Sequence, residues 1–185
     1  MSGHGRHRPP PQPCHESHPC LCGLNMTEHE EFLRLAVMAS RLSPDESTKN
    51  GAVLVSRNGK FIKACNEPPP RVPLVDGRES RPSKYTYIEH AERRAIYQAA
   101  REGICTDGAR LYAMWYACPH CARAIVCAGI REVVGLLALD VLTPSHWREQ
   151  VKAGKEILAE AGVRTRLYTE PLGIRVRFDG SDFTI

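Results

Sequence analysis

The spacing of apolar residues changes sharply near residue 26. Residues 1–25 are rich in proline, histidine and cysteine and hold few large apolar side chains, so they cannot bury enough surface to offset the entropy lost on ordering. Their cysteines and histidines are zinc-binding residue types, but no Cys-x-x-Cys pair occurs and no core orients them. We therefore predict a disordered tail without a metal site, and a folded domain that begins at Met26.

The first part of that domain predicts a helix and then a hairpin. Apolar residues recur at helical spacing over residues 26–40, with Thr27 and Glu30 placed as a capping box. Two β-rich runs within residues 51–65 then flank an Asn-Gly dipeptide, which suits a type I′ turn because both central residues need positive φ. A loop rich in proline and charge follows over residues 66–83, and its length favours a functional role.

The second half alternates between helical and strand periodicity. The predicted elements are a helix at 87–103, a strand at 110–116, a helix at 119–128, a strand at 132–139, a helix at 145–161 and a strand at 163–168. This alternation implies right-handed crossovers, which make the last three strands parallel. The fold class is therefore α/β, a three-layer αβα sandwich on a mixed sheet. It spans residues 26–170, and the extension at 171–185 is compatible with an edge strand.

Composition and charge argue against several classes of function. The chain has 185 residues, 42% of them hydrophobic, which is enough for one sizeable core. No apolar run reaches the length of a membrane span, and the net charge of +4 is dispersed rather than gathered in a patch. We therefore expect a cytoplasmic protein that does not bind membranes or nucleic acid. In such a compartment clustered cysteines favour metal binding or redox chemistry over disulfides.

Two cysteines stand where the strand at 110–116 gives way to a helix. Pro119 suits the first helical position, so Cys118 and Cys121 lie one turn apart and both sulfurs can face one point. A helix N-terminus also favours thiolates, which are the form that ligates metal. A Cys-x-x-Cys pair alone is redox-active or structural about as often as it is part of a catalytic metal site. The pair therefore indicates a catalytic zinc site only if further ligands are present.

The start of the helix predicted at 87–103 supplies a further ligand and a carboxylate. His90 opens that helix and Glu92 follows it. Two cysteines and one histidine leave the fourth zinc position to water, which is typical of a catalytic site. A nearby carboxylate can take a proton from that water and pass it to a substrate nitrogen. The pattern His-x-Glu with Pro-Cys-x-x-Cys is the signature of zinc nucleobase deaminases, although here Ala117 stands in the place of the proline.

Longer segments extend the resemblance. Residues 27 to about 168 resemble the cytidine and deoxycytidylate deaminase superfamily, most closely its deoxycytidylate (dCMP) deaminases, through the segments "ESTKNGAVLV", "IEHAERRAIYQAAREG" and "CPHCARAIVCAGIREVV". The resemblance implies a five-stranded sheet between helices, and zinc held by His90, Cys118 and Cys121. It also implies that activated water attacks C4 of a cytosine ring. Glu92 would protonate N3 and then the departing amine.

The resemblance also implies a small nucleotide substrate, most simply dCMP. It suggests Asn66 as a contact to the sugar or base and Ala91 as a further substrate contact, and we expect Lys49 and Arg71 to reach a phosphate. Members of the superfamily commonly form dimers or hexamers, so we expect a homo-oligomer.

Two other functions remain open. One is deamination of another cytosine compound or of adenosine in tRNA, since Gly135 stands where the family tends to have a tyrosine near the nucleotide. The tRNA branch usually reads Pro-Cys-x-Met-Cys-x-Gly-Ala after the strand, and this chain does not. The other is a zinc-binding module without catalysis. Glu92 argues against it, because a structural zinc site has no need of that carboxylate.

Overall fold

The computed structural model describes residues 26–75 and 77–185. The predicted tail at 1–25 lies outside the described residues, and so does the side chain of Thr27 that the predicted capping box requires. Within the described ranges, no helix combines the length and the apolar composition that crossing a membrane would require.

The predicted helices and strands occur in the predicted order, with two short helices in addition. The elements are α1 (Met26–Ser40), β1 (Gly51–Val55), β2 (Phe61–Cys65), α2 (Lys84–Tyr87), α3 (Ala91–Glu102), β3 (Arg110–Ala113), α4 (Pro119–Cys127), β4 (Glu132–Leu136), α5 (Leu137–Val141), a 3-10 turn (Ser145–Trp147), α6 (Arg148–Glu160), β5 (Arg164–Tyr168), β6 (Arg175–Phe178) and β7 (Ser181–Thr184). Helices α2 and α5 have one turn each, which is too short for apolar periodicity to indicate them.

Five of the strands form one mixed sheet in the order β2-β1-β3-β4-β5. Strand β1 runs antiparallel to both β2 and β3, whereas β3, β4 and β5 are parallel. The predicted mixed sheet and the parallel arrangement of its last three strands are therefore confirmed.

Helices cover both faces of this sheet. Every residue of β1, β3 and β4 is buried, and because neighbouring side chains of a strand point to opposite faces, both faces must be covered. Helix α1 packs across β1 to β4, α3 packs across β1 to β3, and α4 lies against α3 and α6. At Gly51 a Cβ atom would lie 2.0 Å from the carbonyl oxygen of Ala36, so α1 approaches β1 as closely as only glycine allows.

The end of the chain forms a separate hairpin. Strands β6 and β7 pair with each other and not with an edge of the main sheet. Val176 and Phe178 are nonetheless buried in the common core, and the Phe178 ring meets that of Trp115 at a centroid distance of 5.1 Å. The hairpin is therefore packed against the domain rather than added to its sheet.

Candidate active site

Two helix starts bring three metal-ligating side chains together. His90 is the N-cap residue of α3 and Cys118 that of α4, both with extended backbone. The Nδ1 atom of His90 lies 3.6 Å from Sγ of Cys118 and 3.5 Å from Sγ of Cys121. One ligand atom from each of these residues falls within 4.8 Å of the others. Only this group of three meets that criterion among the described residues.

Local sequence explains the position of the cysteines. Pro119 begins α4, where its missing N–H leaves no hydrogen bond unmade, so the chain turns from β3 into the helix directly after Cys118. Helix α6 supports this turn from the other side. At Gly154 a Cβ atom would lie 2.0 Å from the carbonyl oxygen of Ala117, so the close approach of α6 to the turn requires glycine.

The donor set suits zinc. The Cys121 thiol, and then His90, hold the pKa of the Cys118 thiol down to about 3 against the effect of burial. Hydrogen bonding to Cys118 and burial raise the pKa of Cys121. Two sulfur donors and an imidazole match the ligand preference of zinc, and three protein ligands are the number found in catalytic zinc sites. The residues present therefore fit the metal.

Glu92 lies beside this group. Its side chain is buried, and its Oε2 atom has no hydrogen-bond partner within residues 26–75 and 77–185. Burial raises the pKa of the Glu92 carboxyl, although His90 opposes the shift. A buried polar atom without a partner usually costs stability, which makes it a candidate for contact with a ligand. A carboxyl with a raised pKa is also suited to hold and release a proton near neutral pH.

The metal-ligating group opens into a cavity with aromatic walls. Its lining includes His90, Glu92 and Cys118 together with Tyr85, Trp115 and Trp147. The ring of Trp147 meets the rings of three neighbours edge-on, at centroid distances of 5.9 Å for Tyr85, 6.3 Å for His90 and 5.5 Å for Trp115. Such a wall can hold a flat aromatic base against the metal-ligating group.

Another wall of the cavity is polar. The ammonium group of Lys84 contacts both carboxylate oxygens of Asp45, at 3.0 and 2.8 Å, and the two side chains are nearly fully buried. Burial opposes ionisation of Asp45, but hydrogen bonds from Lys84 and from the Ser47 and Thr48 backbone outweigh it and lower the Asp45 pKa. This wall therefore presents a fixed and largely neutralised pair of charges.

The predicted substrate contacts have different positions. Asn66 lines the cavity, but its amide is already bonded to the backbone, accepting from Asn50 at 2.7 Å and donating to Thr48 at 2.9 Å. Lys49 and Arg71 do not line the cavity. Lys49 donates to the Ser43 carbonyl, and Arg71 is exposed in the loop.

Ala91 is fully buried at the start of α3, beside His90. The contacts of Asn66, Ala91, Lys49 and Arg71 with substrate stay predictions. Two cationic residues that no sequence pattern indicated, Arg81 and Lys84, do line the cavity. Lys84 meets Asp45 across 39 positions of the chain, so no local pattern indicated it.

The fold and the metal-ligating group define a class, the zinc-dependent nucleobase deaminases. The model of the family described as the cytidine and deoxycytidylate deaminase zinc-binding region matches residues 26–137. Because this match covers more than half of the chain, the chain belongs to that family of zinc-binding hydrolytic enzymes. The predicted family, fold and cofactor are confirmed.

Individual proteins that resemble this chain are also named as deaminases. The chain is 28% identical over 134 residues to an uncharacterized deaminase in the luxG 3′ region of Aliivibrio fischeri, covering 72% of this chain and 88% of that one. It is 27% identical to the deoxycytidylate deaminase of Mus musculus, covering 76% and 79%. A crystal structure of the dCMP deaminase of cyanophage S-TIM5 matches with a TM-score of 0.62 at 22% identity, covering 78% and 99%. That structural match supports the fold.

Proposed function

We propose that this protein catalyses the hydrolytic deamination of dCMP to dUMP with release of ammonia. The observation that carries the proposal is the placement of Glu92, whose buried carboxyl has an unpartnered oxygen next to a three-residue zinc-ligand group. A metal site kept for structure alone has no use for such a carboxyl. Two of the relatives named above, those from mouse and from cyanophage, bear the name of this reaction, which supports the choice of substrate.

The residues at the helix starts perform the chemistry. His90, Cys118 and Cys121 would hold the zinc ion, which lowers the pKa of a coordinated water to about 7 and makes it a nucleophile at neutral pH. As the water oxygen adds to C4 of the cytosine ring, Glu92 accepts the proton that the water loses and delivers it to N3. The same carboxyl then takes the remaining proton of that oxygen, which becomes the C4 carbonyl, and passes it to the amino group at C4. The C4–N bond breaks, and ammonia leaves.

The remaining walls of the cavity would bind and orient the nucleotide. Trp115, Trp147 and Tyr85 provide flat apolar surface for the base, which excludes bulk water from the reacting atoms. Arg81 and Lys84 provide positive charge in the same cavity. Lys84 is already paired with Asp45, so Arg81, whose side chain is 43% exposed, is better placed to meet a 5′-phosphate.

The further properties proposed here are a deaminase domain over residues 26–170 with an extension at 171–185, a cytoplasmic location and a homo-oligomeric state. Sedimentation of the zinc-loaded protein measures the oligomeric state directly.

Ammonia release from a panel of substrates tests the proposed reaction. The panel comprises dCMP, deoxycytidine, dCTP and a tRNA anticodon stem-loop with adenosine at the reactive position. We expect the highest kcat/KM for dCMP. Equal efficiency on deoxycytidine and dCMP would contradict a phosphate-reading site, and activity on the stem-loop alone would identify a tRNA adenosine deaminase.

A further inference from the structure

The hairpin of β6 and β7 contacts the polar wall of the cavity, although it lies beyond the residues that the family model matches. Its backbone is bonded to the segment that follows Asp45. The Gly180 N–H donates to the Ser47 carbonyl at 2.7 Å, and the Lys49 N–H donates to the Arg177 carbonyl at 3.1 Å. The hairpin therefore helps to position the segment that forms this wall.

The turn of the hairpin places one carboxylate against two residues that line the cavity, Thr48 and Arg81. Asp179 occupies this turn with a φ of 46°, a left-handed conformation that aspartate and asparagine adopt more readily than most residues. Its N–H donates to the hydroxyl of Thr48 at 3.2 Å, and Thr48 itself lines the cavity. The backbone of Asp179 is thus held by the cavity wall, which restricts where its carboxylate can lie.

That carboxylate accepts a hydrogen bond from Arg81. The Nη2 atom of Arg81 lies 2.6 Å from Oδ1 of Asp179, and the pair joins two segments 98 positions apart in the chain. The contact is end-on through one nitrogen, whereas a bidentate pair would use two. An end-on contact leaves further guanidinium N–H groups for a second anion, and Arg81 already lines the cavity.

We infer that Asp179 is a positioning residue that holds the Arg81 guanidinium at the cavity for the 5′-phosphate of the substrate. The inference rests on the proposed function. Arg81 belongs to a segment without regular structure, and arginine loses considerable rotamer entropy when a ligand immobilises it. Because Asp179 restricts the side chain before substrate arrives, part of that entropic cost no longer opposes binding.

The variant Asp179→Asn tests this role, because asparagine tolerates the left-handed turn and keeps the shape of the side chain. Immobilising one such side chain is worth about 0.5–1.5 kcal/mol, so we expect KM for dCMP to rise roughly 3- to 10-fold. The value of kcat should change less than about twofold, since Asp179 is remote from the proton transfers of Glu92. The kcat/KM for deoxycytidine should not change, because that substrate has no phosphate.

Asp182→Asn is the matched control. Asp182 lies on the same hairpin and pairs with Arg175 at 3.5 Å and with Arg177 at 3.4 Å, and it does not line the cavity. We expect wild-type kinetics on both substrates. Arg81→Gln should weaken dCMP binding at least as much as Asp179→Asn, and the double variant should show no further loss, because both changes act through one guanidinium.

If the wild-type protein prefers dCMP, two results with Asp179→Asn would overturn the inference. A lower KM for dCMP would mean that Asp179 competes with the phosphate. An unchanged ratio of the kcat/KM values for dCMP and deoxycytidine would mean that Asp179 has no part in phosphate binding, and an equal loss on both substrates would then indicate a structural role alone. A wild-type protein without a preference for dCMP would instead contradict the proposed substrate, and the inference with it.

Discussion

The wall of the cavity that carries His90 and Cys118 is built from helix starts, whereas the wall that carries Asp45, Lys84 and Arg81 is built from loops and the one-turn helix α2. In the first wall each side chain is positioned by residues next to it in the chain, such as the proline after Cys118. In the second wall each charge is positioned by a partner 39 or 98 positions away.

This difference matches the roles that we propose for the two walls, metal binding and catalysis for the first and substrate recognition for the second. Ligand atoms of a metal must meet within a narrow range of distances, and helix starts that follow a rigid sheet provide that precision. Charges that recognise a substrate tolerate more variation, and loops allow that variation between related proteins. We therefore expect changes in the first wall to abolish activity, and changes in the second to alter stability or substrate preference.

Removal of a metal ligand is expected to have the largest effect. Cys121 is fully buried in the first turn of α4, and in Cys121→Ala we expect bound zinc and deaminase activity to fall to near zero. Elemental analysis of the purified protein measures the zinc. Cys65→Ala is the control, because Cys65 is also a buried free thiol but lies outside the ligand group.

The same measurement on protein without residues 1–25 tests where the metal is bound. We expect this shortened protein to retain one zinc per chain, because the three proposed ligands are intact. Loss of the zinc on this truncation would show that the tail holds the metal and would contradict the assignment to the helix starts.

Glu92→Gln should retain zinc and fold but lose activity. The amide is nearly isosteric and cannot cycle a proton, so kcat should fall by about 10²- to 10⁴-fold. Glu102→Gln is the control at the exposed end of the same helix, and it should be fully active. Near-wild-type turnover by Glu92→Gln, after mass spectrometry has excluded deamidation, would refute the proton-transfer role.

Substitution of a charged residue in the polar wall should lower the stability of the folded protein. Lys84→Met leaves the Asp45 carboxylate buried without its cation, and loss of one partner of a buried pair typically costs about 3–5 kcal/mol. Arg34→Met is the control, since it breaks the solvent-accessible pair with Glu30, for which we expect a much smaller loss of stability. Urea unfolding of zinc-loaded protein measures both, and equal losses would contradict the contrast between buried and exposed pairs.

We expect a smaller effect, of pH on the free energy of unfolding, from the Asp45 carboxylate. The pKa of Asp45 is lower in the folded protein than in the unfolded chain, so the folded state binds fewer protons there. The stabilisation is present above the unfolded pKa, near 3.9, and is lost as the pH falls through the lower folded pKa. The free energy of unfolding should therefore fall less steeply below about pH 4 in Asp45→Asn than in the wild type. Identical slopes would contradict the lowered pKa.

The sequence predicted much of the fold because its main elements have local signals. Apolar periodicity indicated α1 and α3, and the alternation of strands with helices indicated the parallel strands. The Asn-Gly dipeptide indicated the turn between β1 and β2, but the predicted type I′ geometry was wrong, because Gly59 has a positive φ and Asn58 does not. It did not indicate α2 and α5, which are too short to show a period. It also did not place β6 and β7, because two short strands can join a sheet edge or pair with each other, and only the packing of Val176 and Phe178 selects the hairpin.

The same division applies to the cavity. The sequence by itself determined the family and the metal, and it singled out the residues that we propose for the chemistry, because His90, Glu92, Cys118 and Cys121 occur at fixed spacings within two helix starts. Only the tertiary structure decided which cations line the cavity. Sequence spacing suggested Lys49 and Arg71, but the cavity is lined by Arg81 and Lys84. The physical reason is that an ion pair depends on distance in space, and the partners Asp45 and Asp179 are remote in the chain.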